Sequence, residues 1–274
     1  MWHADFEREK IMMTYNILSA RDAQDTLQKL TYIPWAEWQE IHNRYNYFRD
    51  GYEDEYIDKI LGEKCVNLPY FEDLRFIFSH VSTSANSCND IKTLGLIRYA
   101  YLNSQTELYS FLNENGITIE LSKSKLHYHS KTIDISFGDC PPEYEEEKYA
   151  AWSVGRKVYY DYCVCGFLSY SSSAYLGYVH KRPEILMDID NLLKTNLSDQ
   201  WEKTHQAYEV IAQVDAKKIV YEGDKEQDEH QKVLNYLMKA YWCAFSDEEN
   251  IILLQNDMEI LPADILEIRP FDRW

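Results

Sequence analysis

The spacing of apolar and polar residues changes near residue 70. Within Pro34–Tyr45, aromatic and aliphatic residues recur at three- and four-residue intervals, which is typical of a helix that begins after the proline. Beyond this part, the apolar run Leu74–Val81 indicates a buried strand. We therefore divide the chain into a helical N-terminal section, residues 1–70, and a remainder, residues 71–274.

Helices and short strands alternate irregularly in the remainder. Capping signals at 87–90 and 104–107 predict helices that end at Gly95 and Gly116. Other helices are predicted from Pro183 to Leu193 and along the apolar face Val233–Phe245. An antiparallel meander is predicted at 117–121, 125–128 and 132–137, a loop at 140–147, and further strands at 163–168, 208–214, 218–221, 250–255 and 265–268.

This order of elements decides between two fold classes. A doubly wound α/β fold needs a regular alternation of strand and helix, and the remainder lacks it. We expect an α+β protein in which a helical N-terminal section precedes a mixed, mainly antiparallel sheet.

The composition limits the classes of function. The 274 residues are 45% hydrophobic, which is enough to form a sizeable core. There are 46 Asp and Glu against 28 Lys and Arg, giving a formal charge of −18. Such an acidic surface disfavours nonspecific binding of nucleic acid and favours a basic protein partner.

Location can also be predicted from sequence. The first ten residues do not resemble a signal peptide, and no apolar run approaches the roughly 18 residues that span a bilayer. The six cysteines include no Cys-x-x-Cys pair, which is typical of reduced thiols. We predict a cytoplasmic protein that does not interact with membranes.

Candidate chemistry centres on His80. The sequence contains no dinucleotide-binding, P-loop, zinc-protease or serine-hydrolase motif. His80 lies at the end of the apolar strand and precedes the hydroxyls of Ser82 and Thr83, and a short helix follows. Side chains of this kind can bind the sugar of a ligand by hydrogen bonds, although a buried structural histidine with two capping hydroxyls has the same pattern.

These residues resemble the opening of an ADP-ribosyltransferase domain of the His-Tyr-Glu type. Phe167–Ser173 is similar to the central aromatic and serine-rich element of that family. Asp257–Pro262 looks like the strand that carries its catalytic glutamate. The resemblance extends over about residues 71–274.

The resemblance implies an NAD-dependent enzyme that modifies a protein or nucleic acid, as a toxin or as an antiviral phage-defence effector. It implies Glu259 as the catalytic residue. It implies that NAD is bound by His80, Ser82, Thr83, Tyr170 and Ser171. For the ring that stacks on nicotinamide, Tyr159, Tyr160 and Tyr175 are further candidates.

Two other functions remain open. Asp215-Ala216-Lys217 at a strand end resembles the Asp-x-Lys element of Mg²⁺-dependent nucleases, with Asp188 or Asp190 as a second carboxylate. Alternatively, the acidic, tyrosine-rich surface belongs to a noncatalytic binding or antitoxin-like module with a basic partner. His127 and His129 alternate on one strand but lack an evident third ligand, so we predict no metal site.

Overall fold

The computed structural model describes residues 12–48, 53–161, 163–171, 179–221, 223 and 227–272. Helices and mainly antiparallel strands follow one another without a regular alternation, so the protein belongs to the α+β class, as predicted.

The described helices and strands are numbered in chain order. The helices are α1 Ala20–Thr31, α2 Trp35–Phe48, α3 Glu53–Glu63, α4 Asn89–Leu94, α5 Glu107–Glu114, α6 Glu146–Tyr159, α7 Glu184–Leu193, α8 Leu197–Thr204 and α9 Glu229–Phe245. The strands are β1 Met13–Tyr15, β2 Leu74–Ser84, β3 Ile117–Glu120, β4 Lys125–Tyr128, β5 Lys131–Asp134, β6 Cys165–Ser169, β7 Gln206–Asp215, β8 Asn250–Leu253 and β9 Ile265–Pro270.

The strands form two sheets. In the larger sheet, five strands have the order β8-β6-β2-β7-β9, and β1 pairs with β2. The β1–β2 pair is parallel and aligns Tyr15 with Phe76, whereas β7 and β9 are antiparallel with a bulge between Ile211 and Ala212. The smaller sheet is the antiparallel meander β3-β4-β5 predicted from the sequence.

The chain forms two compact units that are interleaved along the sequence. The first unit comprises residues 1–78, 167–174 and 213–252, and the second comprises 79–166, 175–212 and 253–274. Strands β2, β6 and β7 each contribute residues to both units. The division into residues 1–70 and 71–274 is a division of the sequence into two consecutive parts. These interleaved units do not test it, so it stays a prediction.

The first unit has an aromatic core. The rings of Tyr15 and Phe76 are fully buried and lie 4.9 Å apart, and the Tyr236 ring lies 4.8 Å from Phe76. The Tyr15 hydroxyl donates a hydrogen bond to the Tyr236 carbonyl oxygen at 2.8 Å, so its polar end is satisfied. Burial raises the pKa of Tyr15 well above its ordinary value. Helix α1 packs against α9 beside these rings.

The second unit has a mixed aliphatic and aromatic core. Helix α6 packs on α7, and α7 packs on α8. The apolar residues of these helices and of the meander form one buried cluster, which includes Leu126, Val154, Ile189 and Trp201.

Several local predictions were wrong in detail. Helix α6 was not predicted, and its first residues lie within the loop predicted at 140–147; Val154, Val158 and Tyr159 of this helix contact one apolar cluster. Residues 216–218 form a short 3-10 turn, so the strand predicted at 218–221 is reduced to a bridge at Ile219.

The predicted caps also shift. Thr106, rather than Ser104, is the N-cap of α5 and accepts a hydrogen bond from the Tyr109 backbone N–H. Helix α4 begins after Cys88, which has a left-handed backbone and gives no side-chain cap. Over the described ranges, no helix is both long and apolar enough to cross a membrane.

Candidate functional site

The second unit contains an apolar cavity of about 330 Å³. Its polar lining includes His80, Ser82 and Thr83 from the end of β2, all three of which the sequence singled out. Aliphatic residues of α4 and the ring of Trp201 form much of the remaining wall. A concave, mostly apolar site with a few polar groups is typical of small-molecule binding.

The turn after α4 shapes one side of this apolar cavity. Gly95 has a φ of +88°, and a Cβ atom placed on it would lie 1.8 Å from the Ile260 carbonyl oxygen. Leu96 and Ile260 exchange two backbone hydrogen bonds of 3.0 Å directly after the glycine. Only glycine combines this backbone conformation with so close an approach, so the helix stop read from the sequence also positions Leu96 in the cavity wall.

His80 presents a defined face to the cavity. Its Nδ1 lies 2.8 Å from the Cys165 carbonyl oxygen. A carbonyl oxygen only accepts, so Nδ1 carries the proton and Nε2 retains its lone pair. Burial lowers the pKa of His80 and outweighs the opposing effect of this hydrogen bond. His80 is therefore a neutral imidazole with a hydrogen-bond acceptor at Nε2.

The two hydroxyls beside His80 have different roles. The buried Thr83 Oγ1 accepts a hydrogen bond from the Trp201 indole Nε1 at 2.8 Å, which fixes the indole in the cavity wall. The half-buried Ser82 hydroxyl makes no hydrogen bond within the part of the chain that the structure describes. Ser82 is thus available to a ligand, and Thr83 first of all supports Trp201.

Two cysteines also line the cavity. Burial raises the pKa of the Cys163 thiol, and burial with nearby Cys163 raises the pKa of the Cys165 thiol to about 11. Both are free cysteines. Because a thiolate is the reactive form, neither is activated as a nucleophile at neutral pH.

The charged groups of the lining are mostly acidic. Asp90 accepts hydrogen bonds from the Ile91 and Glu107 backbone N–H groups, and Glu107 accepts one from Ala85. Arg182 forms an ion pair with Glu202. Among the described residues, neither Asp90 nor Glu107 has a basic partner, so the lining favours a cationic ligand group over an anionic one.

A second, polar cavity of about 560 Å³ shares Thr106 and Glu107 with the apolar cavity. Amide and hydroxyl side chains form most of its lining. The His205 ring stacks on Trp201 with ring centres 3.5 Å apart. Burial lowers the pKa of His205, so its imidazole is neutral near pH 7.

Glu259 does not line the apolar cavity. Its Oε1 accepts a hydrogen bond from the Arg98 backbone N–H at 3.0 Å and lies 3.6 Å from the Arg98 Nε. It precedes Ile260, the residue paired with Leu96 of the cavity wall. The structure thus places Glu259 on a segment that supports the wall, with its carboxylate held by Arg98.

Tyr170 and Ser171 lie in the first unit. The Tyr170 ring stacks on Phe167 at 4.7 Å, and the Ser171 hydroxyl donates to the Asp247 carboxylate at 3.4 Å. Asp247 belongs to the acidic run Asp247–Glu249, directly before β8.

The other tyrosine candidates have separate positions. The Tyr159 hydroxyl donates to the Leu121 carbonyl oxygen at 2.8 Å. Tyr160 is exposed, and its ring stacks on Phe137. Tyr175 lies outside the described residues.

The residues considered for a nuclease lie in both units. In the first, Asp215 forms an ion pair with Arg75 at 2.9 Å, and Lys217 lies in the following 3-10 turn. In the second, Asp190 accepts hydrogen bonds from the Leu197 and Ser198 backbone N–H groups at the start of α8. No group of three or more metal-ligating side chains occurs among the residues that the structure describes.

Comparison with known proteins gives no relative of this chain. No family model, no curated protein and no solved structure matches it. The geometry of the two cavities therefore carries the functional argument.

Proposed function

We propose that the apolar cavity binds the nicotinamide–ribose portion of NAD, and that the protein is an ADP-ribosyltransferase-like effector that modifies a protein or nucleic acid. The observation that carries this proposal is the convergence of His80, Ser82 and Thr83 on one apolar cavity.

The size and charge of the cavity support a partial fit to NAD. A volume of 330 Å³ lies at the lower end of the range for small-molecule sites, so the cavity suits one half of a dinucleotide. The nicotinamide ring of NAD⁺ is cationic, and the carboxylates of Asp90 and Glu107 favour a positive charge. The anionic pyrophosphate would lie outside, since Arg182 is engaged by Glu202.

The residues of the cavity can assist cleavage of a glycosidic bond. When the bond from ribose C1′ to the nicotinamide nitrogen breaks, its electron pair goes to the ring nitrogen, and positive charge develops on the ribose. Carboxylates near this charge stabilise it. Nε2 of His80 accepts a hydrogen bond from a ribose hydroxyl, Ser82 supplies a second hydrogen bond, and Trp201 forms part of the surrounding wall. The acceptor then attacks C1′ and loses its proton.

Two glutamates are candidates for the catalytic carboxylate. The resemblance implies Glu259, whose carboxylate contacts Arg98. The cavity lining offers Glu107, which keeps one oxygen outside its hydrogen bond to Ala85. Each candidate is tested by a glutamine substitution, because glutamine retains the shape and one acceptor while removing the charge.

The test uses the full chain with NAD⁺ alone. Thermal unfolding with and without NAD⁺ measures binding, and chromatographic detection of free nicotinamide measures cleavage. We expect His80→Ala to weaken binding about tenfold through loss of one hydrogen bond, while His127→Ala, on the small sheet, leaves binding unchanged. We expect Glu259→Gln to abolish nicotinamide release without unfolding the protein.

Each outcome is decisive. If the unsubstituted chain shows neither a thermal shift nor nicotinamide release at millimolar NAD⁺, the proposal fails. If Glu107→Gln loses release while Glu259→Gln retains it, the catalytic role passes to Glu107.

A further inference from the structure

The second unit also carries an aromatic patch on its surface, formed by Phe137, Tyr149, Trp152 and Tyr160. The Phe137 ring lies 5.7 Å from Trp152 and 5.7 Å from Tyr160, and Tyr149 lies 5.9 Å from Trp152. The four rings therefore form one continuous cluster. None of them lines the apolar or the polar cavity.

Local packing holds this patch in a fixed shape. The Trp152 indole Nε1 donates to the Gly138 carbonyl oxygen at 2.9 Å, which ties the segment after β5 to helix α6. A Cβ atom on Gly155 would lie 2.3 Å from the Ile135 carbonyl oxygen, so the helix lies directly against this segment. A rigid aromatic surface loses little conformational entropy when it binds.

Two rings of the patch are exposed, and Tyr149 and Trp152 are half-buried. Tyr160 is 65% exposed and Phe137 is 38% exposed. Tyr144, two residues before the start of α6, is 82% exposed. Contiguous exposed aromatic surface marks interaction sites in proteins, whereas single exposed rings are ordinary.

The charges around the patch are acidic. Asp139, Glu143, Glu146 and Glu147 are exposed, and none has an ion pair within the described ranges. The three basic residues of α6 are engaged: Lys148 pairs with Glu145, Arg156 with Asp161, and Lys157 with Asp161 and Glu184. Aromatic faces attract cations, and unpaired carboxylates strengthen this attraction.

We propose that the aromatic patch and its acidic border bind a protein segment rich in arginine and lysine. The guanidinium and ammonium groups would lie over the exposed rings of Tyr144 and Tyr160 and pair with the surrounding carboxylates. Nucleic acid would be repelled by the same carboxylates. A second copy of this chain, with a formal charge of −18, would be repelled as well. The inference does not depend on NAD binding.

The test measures binding of a labelled synthetic peptide in which arginine alternates with serine. Fluorescence anisotropy gives its dissociation constant for the full chain. Competing probes are a peptide with lysine in place of arginine, one with glutamate in place of arginine, and a single-stranded RNA oligomer. We expect the arginine peptide to bind best, since guanidinium stacks on rings better than ammonium does.

Matched variants separate the patch from the overall charge of the protein. We expect Tyr144→Ala with Tyr160→Ala to weaken binding about tenfold. Tyr32→Ala, at an 81% exposed tyrosine of the first unit, should leave binding unchanged. A second pair of variants tests the acidic border. We expect the double variant Glu143→Gln with Glu146→Gln to weaken binding of the peptide. The control double variant, Glu55→Gln with Asp199→Asn, removes two exposed acids elsewhere and should weaken binding less.

Three results would overturn the proposal. The first is that the arginine peptide does not bind at millimolar concentration. The second is that all variants bind it equally, as expected of general charge attraction, and the third is that RNA binds at least as tightly as the peptide. Circular dichroism of each variant verifies folding, and the exposure of the substituted tyrosines makes a loss of folding unexpected.

Discussion

In the first unit, Tyr15, Phe76 and Tyr236 contact one another in a core with almost no exposed ring surface. In the second unit, Trp201 forms a cavity wall and Tyr160 faces solvent. The contrast shows that a high aromatic content can serve two purposes in one chain. Rings that fill a core stabilise the fold, and rings at a cavity or surface remain available to ligands.

The largest expected effect tests the packing of the aromatic core in the first unit. Phe76→Ala should lower the free energy of unfolding by about 3–5 kcal/mol, because the ring is fully buried between other rings. Tyr32→Ala, at an exposed ring, should change it by less than about 0.5 kcal/mol. Urea denaturation measures both. A cost below about 1 kcal/mol for Phe76→Ala would contradict the close packing of the first unit.

The next effect tests the cavity wall. Thr83→Val keeps the volume of the side chain but leaves the buried Trp201 N–H without its acceptor, and should cost about 1–2 kcal/mol. Thr83→Ser retains the hydroxyl and should cost less. Equal costs for the two variants in urea denaturation would show that the hydrogen bond is unimportant.

A smaller effect depends on pH. Burial and the neighbouring Glu184 carboxylate raise the pKa of Asp188 from 3.8 to about 6. The folded state thus binds this proton more tightly than the unfolded state, and stability falls as the pH rises from about 4 to about 6.

The substitution Asp188→Asn should remove the loss of stability that accompanies rising pH. We expect a gain of about 1 kcal/mol at pH 7, since the side chain retains partial contact with water, and no gain at pH 3. Exposed Asp199→Asn is the control. A gain for Asp188→Asn that is equal at both pH values would exclude titration as its cause.

The smallest effect concerns Glu259. Its ion pair with Arg98 is partly exposed, so Glu259→Gln should change the free energy of unfolding by less than about 1 kcal/mol. A thermal melt verifies this. A large loss of stability would make the same substitution unsuitable as a test of catalysis.

Much of the secondary structure was predictable from the chain. The strand at 74–81, the meander and the helix from 184 to 193 follow from residue periodicity and from Pro183 and Gly116, which act locally. Helix α6 was not predicted, because Val158 and Tyr159 have high β-propensity and packing of the helix against α7 overrides that preference.

The candidate site was predictable only in part. His80, Ser82 and Thr83 follow one another in β2, so strand geometry alone places them near one another. Asp90, Glu107 and Trp201 reach the same apolar cavity from separate helices, which no local pattern indicates. The contact of Glu259 with Arg98 likewise requires two segments about 160 residues apart to meet.

The packing of α1 against α9 has a consequence for synthesis of the protein. The last residue of α1 precedes the first residue of α9 by about 200 positions. At roughly 5–20 residues per second, the ribosome needs on the order of 10–40 s to supply the partner helix. During that interval α1 can contact β1 and α2 but lacks α9. The first unit, which includes residues 213–252, therefore cannot close until most of the chain has been synthesised.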